Sequence, residues 1–388
     1  MTKWRIPSTI FACATMLLSA ESSAAELVVP GDYSSIRAAV KAASPGDTIK
    51  VHPGLYKEQV TINKNLTLKA VADDVGETVI QVPSDFRPFA KNVISKLPLA
   101  AVLRITDGAI VEISGFTVTG PIDCGIQGIG IAVVKNAELK ITDSHVTLFR
   151  PKSTKCDPSQ ASGRGIFVGL PAFVRIKGES KGGSVGDATI RRLVIDKYHA
   201  GGVVVAAPSS ESPSTAVITD SEITGGAEIP VNGQIGINVS WGIVNIKRNI
   251  IRKNFCTGSL CGPDPFEDFQ SAGVGAPFFG SKLTEISDNI ISDTDVGVYG
   301  GGQGDETYTI SRNRISSRLF GIAIQDGKAK TVENRIIGGK IGIGVFAGEA
   351  NAVGILKGDR IRRTKDEDVK AVTCCSFKAK VIQRGNGP

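Results

Sequence analysis

The sequence predicts an all-β chain, a single-stranded right-handed parallel β-helix of about ten coils with a short N-terminal capping helix. Three observations predict it. A six-residue phrase recurs: apolar, two polar, then Asn, Ser or Asp, one variable residue, and Ile or Val. A second phrase, Gly followed by alternating apolar residues, comes after most copies of the first. The 388 residues include 45 Gly and only 6% aromatics, and the glycines lack a collagen-type Gly-X-Y period, so they mark turns between many short strands.

The first phrase reads Ile141-Thr-Asp-Ser-His-Val146, Ile218-Thr-Asp-Ser-Glu-Ile223 and Ile246-Lys-Arg-Asn-Ile-Ile251. It continues as Ile286-Ser-Asp-Asn-Ile-Ile291, Ile310-Ser-Arg-Asn-Arg-Ile315 and Leu356-Lys-Gly-Asp-Arg-Ile361, with weaker copies at Ile113–Val118, Ile190–Ile195 and Thr331–Ile336. The second includes Gly165-Ile-Phe-Val168, Gly201-Gly-Val-Val-Val205 and Gly342-Ile-Gly-Val345. From Ser221 onward the Asn-type positions lie 28, 40, 24, 21 and 25 residues apart. No single repeat buries its own apolar face, whereas neighbours stacked in parallel bury a continuous one. Coils ~4.8 Å apart then make a rod on the order of 45–50 Å long. A β-sandwich also alternates, but has no reason to repeat this phrase.

The N-terminus reads as a signal peptide over residues 1–25. Lys3 and Arg5 form a positive segment, Ile10–Leu18 is apolar, and Ser23-Ala24-Ala25 offers small residues before Glu26. The apolar run is too short to span a membrane, so no membrane insertion is expected. The β-helix domain then covers 26–388, with 26–50 as its N-terminal cap and 364–388 as its C-terminal cap. Ser34 or Ser35 can cap a helix that places Ile36, Ala39, Val40 and Ala43 on one face, over the open end of the solenoid. Pro45-Gly46-Asp47 ends that helix, Thr48–Val51 begins the first coil, and Val369–Ile382 closes the last.

The chain carries a net charge of +7. Loss of residues 1–25 removes Lys3, Arg5 and Glu21, leaving 43 basic and 37 acidic residues, a net charge of +6. Such a balance favours an acidic partner. Export to a periplasmic or extracellular space points away from nucleic acid and toward an anionic polysaccharide. Six cysteines remain after that cleavage, an even number suited to disulfides in an exported chain.

The opening residues resemble those of the pectin lyase-like β-helix superfamily, especially pectin methylesterases and periplasmic carbohydrate-binding or sugar-hydrolase β-helices. Tyr33-Ser-Ser-Ile36, Ala38-Ala39, Pro45-Gly-Asp-Thr-Ile49, Pro53-Gly54, Tyr56, Glu58 and Leu66-Thr-Leu68 carry the resemblance. It implies the fold and leaves the chemistry open. The Asp-Phe-Ile-Phe-Gly and Leu-Gly-Arg-Pro-Trp segments of the esterases are absent. His52, His145 and His199 do not form the Gly-His-Gly of polygalacturonases. Asp264-Pro265-Phe266 has Phe where mannuronan epimerases need His. The calcium-ligand Asp cluster and Arg base of a pectate lyase come from separate coils, so calcium stays open for a lyase; otherwise no cofactor is expected. Gly301–Glu306 resembles one imperfect copy of a calcium-binding nonapeptide, a motif that works only in tandem.

Two surface columns and one corner stand out. The third residue of the phrase is Asp143, Arg192, Asp220, Arg248, Asp288, Arg312 and Glu333. Stacking would place each carboxylate between guanidinium groups, which reads as an ion-pair ladder rather than a row of catalytic acids. The residue after the Asn position is Arg314, Arg335 and Arg360 in the last three full copies, a strip of like charge suited to a polyanion. Insertions at 119–127, 147–164, 224–234 and 252–271 fall between the Asn-type strand and the Gly strand, where stacked loops form a wall. Cys124 and Cys156 occupy two adjacent insertions and are expected to bond across coils, and Cys256 and Cys261 to close a small loop. Cys374 and Cys375 are left unassigned. In the last insertion Asp264, Glu267 and Asp268 are candidate catalytic acids, and Phe266 a sugar-stacking ring, with Arg150 and Lys155 as anion partners. Two functions follow: an exported polysaccharide-binding β-helix, or a polysaccharide lyase or glycoside hydrolase acting from this corner.

Overall fold

The computed structural model describes residues 24–71, 76–153, 155–157, 162–226, 233–258, 261, 271–276, 282–301, 307–373 and 376–384. The chain winds as a right-handed parallel β-helix with three strand faces. Face A holds thirteen strands among the described residues, each parallel to the next, from Glu26–Val29 to Ala379–Gln383. About ten coils were expected. The surplus lies at the ends, where Glu26–Val29, Thr48–Val51, Leu66–Ala70 and Ala379–Gln383 carry no copy of the phrase.

Face B contains Thr117–Thr119, His145–Thr147, Val194–Asp196 and Glu222–Thr224 in parallel register. Face C contains Gln127–Val133, Ser162–Val168, Gly201–Ala206 and Ile235–Ser240. Two long strands, Ile290–Gly301 and Arg314–Gln325, run through both faces without an insertion between them.

The recurring phrase is the corner between faces A and B. Its first apolar residue points inward from face A, as in the fully buried stack Ile190, Ile218, Ile246, Ile286 and Ile310. Its last points inward from face B, as in Ile195, Ile223, Ile251 and Ile291. The third residue makes the bend in left-handed backbone, with φ between 49° and 59° from Asp143 to Glu333. Glycine takes the same place in the flanking copies, at Gly115 and Gly358.

The Gly phrase has its own cause. Gly202 and Gly236 lie on face C, where an added Cβ would stand 2.6 Å from the carbonyl of the next coil's glycine. It would also lie 2.6–2.7 Å from the methyl groups of Ile223 and Ile251 on face B. Glycine therefore lets face C close against the isoleucine stack.

At the N-terminal end the helix Ile36–Ala42 buries Ile36, Ala39 and Val40, and the Ser35 side chain accepts from Ala38 N. The Glu58 carboxylate accepts from Ile36 N and Arg37 N at 3.0 and 2.9 Å, satisfying two further donors of the first turn. The last rung is less covered: Ile361, Val369, Phe377 and Val381 are only partly buried.

The surface column forms ion pairs, in twos rather than as an unbroken ladder. Arg192 forks onto Asp143 at 2.7 and 2.6 Å, Arg248 onto Asp220 at 2.7 and 3.0 Å, and Arg312 onto Asp288 at 2.8 and 2.7 Å. Each Asp thus couples bidentately to the Arg of the following coil, because the fork engages both carboxylate oxygens at once. The guanidinium bonds hold Asp143, Asp220 and Asp288 below the ordinary carboxylate range. A depressed carboxyl contributes stability above its ordinary pKa and loses it as pH falls through the lowered value. These pairs are mostly exposed, so Asp288→Asn should cost about 1 kcal/mol or less. Thermal melts from neutral to acid pH should show the variant's deficit vanish at the acid end. A loss of several kcal/mol would contradict a surface role.

Candidate functional site

The register places Arg314, Arg335 and Arg360 directly beside one another on face B. All three are exposed. Strand spacing puts their backbones about 4.8 Å apart. Among the described residues, no carboxylate makes an ion pair with any of them. They line a shallow concavity with Arg312, Gly358 and Glu333. Arg312 is engaged by Asp288, so Glu333 is the one carboxylate described along its wall.

Earlier coils present a different surface on the same face. His145 Nε2 lies 3.1 Å from Asp196 Oδ1. Burial pushes the Asp196 carboxyl up, but the His145 contact and nearby polar and cationic groups outweigh it and hold the group below the ordinary range. One coil on, Arg252 pairs with Glu222 and donates from Nε to Thr224 at 3.2 Å. His145 belongs to no catalytic motif of the sequence. Its partner lies 51 residues away on the next coil.

The insertions at 119–127, 147–164, 224–234 and 252–271 do leave from the corner between faces B and C. A further insertion, 82–97, shares that corner, and 169–185 leaves from the corner between faces C and A. Cys124 and Cys156 are bonded, with Cα atoms 5.7 Å apart, tying two successive insertions. Cys256 and Cys261 are bonded with Cα atoms 5.5 Å apart. The base of this last loop is pinned by Asp295, which is 4% exposed and accepts from Cys256 N at 2.7 Å. Arg318 pairs with Asp295 and stacks 4.2 Å from the Phe255 ring centroid. Tyr198 donates to Asn254 Oδ1 at 2.6 Å beneath the same corner, and burial raises its pKa.

Asp264, Phe266, Glu267 and Asp268 lie outside the described residues, as do Cys374, Cys375, residues 302–306 of the nonapeptide-like segment and residues 1–23. Arg150 is half-buried in the 147–164 insertion, three coils before the 252–271 insertion, and its carbonyl accepts from Ile122 N at 3.0 Å; Lys155 is exposed. Among the described residues, no group of three His, Cys, Asp or Glu side chains is placed to hold a metal ion. No helix among them is long and apolar enough to cross a membrane.

The family model described as right handed beta helix region matches residues 174–356. No curated protein matches the chain by sequence. Among solved structures, the chain is similar to an alginate lyase from Paenibacillus sp. str. FPU-7. Identity is 11% and the TM-score 0.48, over 92% of this chain and 99% of that one. It is also similar to the Azotobacter vinelandii mannuronan C-5 epimerase A-module, at 12% identity and TM-score 0.43, over 92% and 96% of the two chains. A rice weevil pectin methyl esterase gives 12% identity and a TM-score of 0.38, over 81% and 80%. The chain is a right-handed parallel β-helix, by its own strand register and by the family model over residues 174–356.

Proposed function

We propose that this protein is an exported β-helix that binds an anionic polysaccharide along face B and the adjoining insertion corner. The observation that carries this reading is the in-register column Arg314, Arg335 and Arg360, with no described carboxylate paired to it. Three stacked like charges oppose folding. An extended polyanion would neutralise them, and its repeating charges suit a column that repeats with every coil. The two disulfides support export.

A second reading, a polysaccharide lyase or glycoside hydrolase, is favoured by the hydrogen-bonded His145–Asp196 pair on the same face. In it Asp264, Glu267 and Asp268 would supply acids from the insertion, Phe266 a stacking ring, and Arg150 and Lys155 anion contacts. A lyase of this kind would draw calcium to the acidic loop.

The test is a panel of uronate-rich and neutral polysaccharides, assayed for both binding and cleavage. Uronate-rich polymers should bind, neutral ones should not, and binding should weaken as salt rises. Equal binding of neutral polymers, or none of any, would refute the polyanion reading. Release of reducing ends or unsaturated uronates, abolished by His145→Gln, would establish the second.

A further inference from the structure

Near the N-terminal end, the outer surface of face C carries a cationic pocket that no repeat explains. Gln59, Thr61, Arg87, Phe89, Arg104 and Lys177 line it. They come from four separate stretches of chain, brought together by specific bonds. Thr61 and Arg104 sit side by side on adjacent strands of face C. Gln59 donates to the carbonyls of Arg87 and Ala101, each at 2.9 Å, and accepts from Arg87 N at 3.0 Å. Its amide is fully used in fixing the segment at 87. Strand Val174–Ile176 pairs antiparallel with Ala90–Asn92, and Lys177 N donates to Phe89 O at 2.9 Å. That pairing delivers Lys177 to the rim.

The charges in this pocket are not balanced. Arg87 is occupied by Asp85, at 2.7 Å from Nε. Arg104 is half-buried, and its guanidinium lies 5.3 Å from the centroid of the buried Phe89 ring. The Arg104 Nε is buried with no hydrogen-bond partner. Burial draws its pKa down, with Asp107 acting only through space. Asp107 is itself bonded to Lys135 at 2.9 Å. Lys177 is exposed and makes no ion pair among the described residues. A buried donor without an acceptor destabilises the free protein, more so when it is charged. The Arg104 side chain lines the pocket, with Lys177 as a second cation at its rim.

We propose that this pocket binds one oxyanion group, a carboxylate, sulfate or phosphate, between the Arg104 guanidinium edge and the Lys177 ammonium, beside the Thr61 hydroxyl. The planar edge of Arg104 can fork onto two oxygens of such a group. Lys177 adds a mobile point charge. Phe89 holds the guanidinium plane from behind, and Gln59 positions the Arg87 wall. The pocket accepts a single charged group rather than a strand of them, and lies many coils from the Arg314–Arg335–Arg360 column. It does not rest on that column's function.

The probes are inorganic sulfate, inorganic phosphate and glucuronate, each titrated calorimetrically into the full chain at ionic strength matched with chloride. At least one should bind saturably at one equivalent, and the preferred anion tells whether a sulfate ester, a phosphate or a uronic acid is the natural group. Arg104→Met and Lys177→Met should each weaken that binding by about tenfold or more, from the loss of a charged hydrogen bond. Replacing the three column arginines should leave it unchanged. Lys177 is on the surface, so its variant keeps the test valid if Arg104→Met fails to fold. Absence of saturable binding to the parent would overturn the proposal, as would parental binding by the Lys177 variant together with any folded Arg104 variant.

Discussion

Replacing Asn313 with Leu is expected to lower the stability of the solenoid by roughly 4 kcal/mol, from two to three buried groups each losing a partner. Asn249, Asn289, Asn313 and Asn334 are at most 1% exposed and run up the corner between faces A and B. The Oδ1 atoms of Asn289, Asn313 and Asn334 each accept two bonds from the preceding coil, and that of Asn249 accepts one, from Ser221 N. Asn313 Oδ1 takes both the backbone N and the Nδ2 of Asn289, each at 2.9 Å. Its own Nδ2 donates to Ile286 O at 2.9 Å and to Asn334 Oδ1 at 3.0 Å. Leucine has a similar volume but leaves Asn289 N and Ile286 O without partners in a site closed to water. Denaturant midpoints should show the loss, and hydrogen exchange should place it in the coils on either side, because a solenoid transmits stability between neighbours. Asn313→Ser should recover part of it. Serine already holds this position at Ser221, whose Oγ accepts from Leu193 N at 3.1 Å. A Leu variant within about 1 kcal/mol of the parent would mean that water or backbone movement satisfies the stranded groups.

The Asn column shows why so much of the fold was legible. Every position in the phrase recurs, so its first and last residues could be read as core and its corner as a turn. The bonds between coils then follow from equal spacing in space, whatever the 21 to 40 residues between copies do. The paired Asp–Arg forks were legible for the same reason, although sign alternation alone did not tell which neighbour each Asp would choose. Features outside the repeat left no such trace. Asp295 and Arg318 meet at the base of a loop because two strands run unbroken through the corner. Arg104 and Lys177 share a pocket because an antiparallel pairing, rare in this fold, joins two insertions more than 80 residues apart in sequence. His145 and Asp196 each look like isolated polar residues on a strand until the coils are stacked. Periodicity reports what repeats, and a binding site is built largely from what does not.

The column arginines offer the sharpest functional test, because binding and stability should move independently. In an Arg314→Gln, Arg335→Gln, Arg360→Gln protein, affinity for a uronate-rich polymer should fall about a hundredfold at low salt. That figure assigns about 1 kcal/mol to each exposed Arg–carboxylate contact and about 1.4 kcal/mol to each factor of ten. The melting temperature should hold or rise, since three like charges in direct register repel one another in the free protein. The salt dependence should flatten in the variant, because fewer charge contacts remain to be screened. Asp288→Asn provides the contrast. It removes one of the paired ladder carboxylates beside the column, and should leave polymer affinity within about a factor of two of the parent or slightly raise it by freeing Arg312. Parental affinity and salt slope in the triple variant would move the polymer off this part of face B. The disulfide-tied insertion corner would then be the place to look, with Asp264→Asn, Glu267→Gln and Phe266→Ala as the next changes.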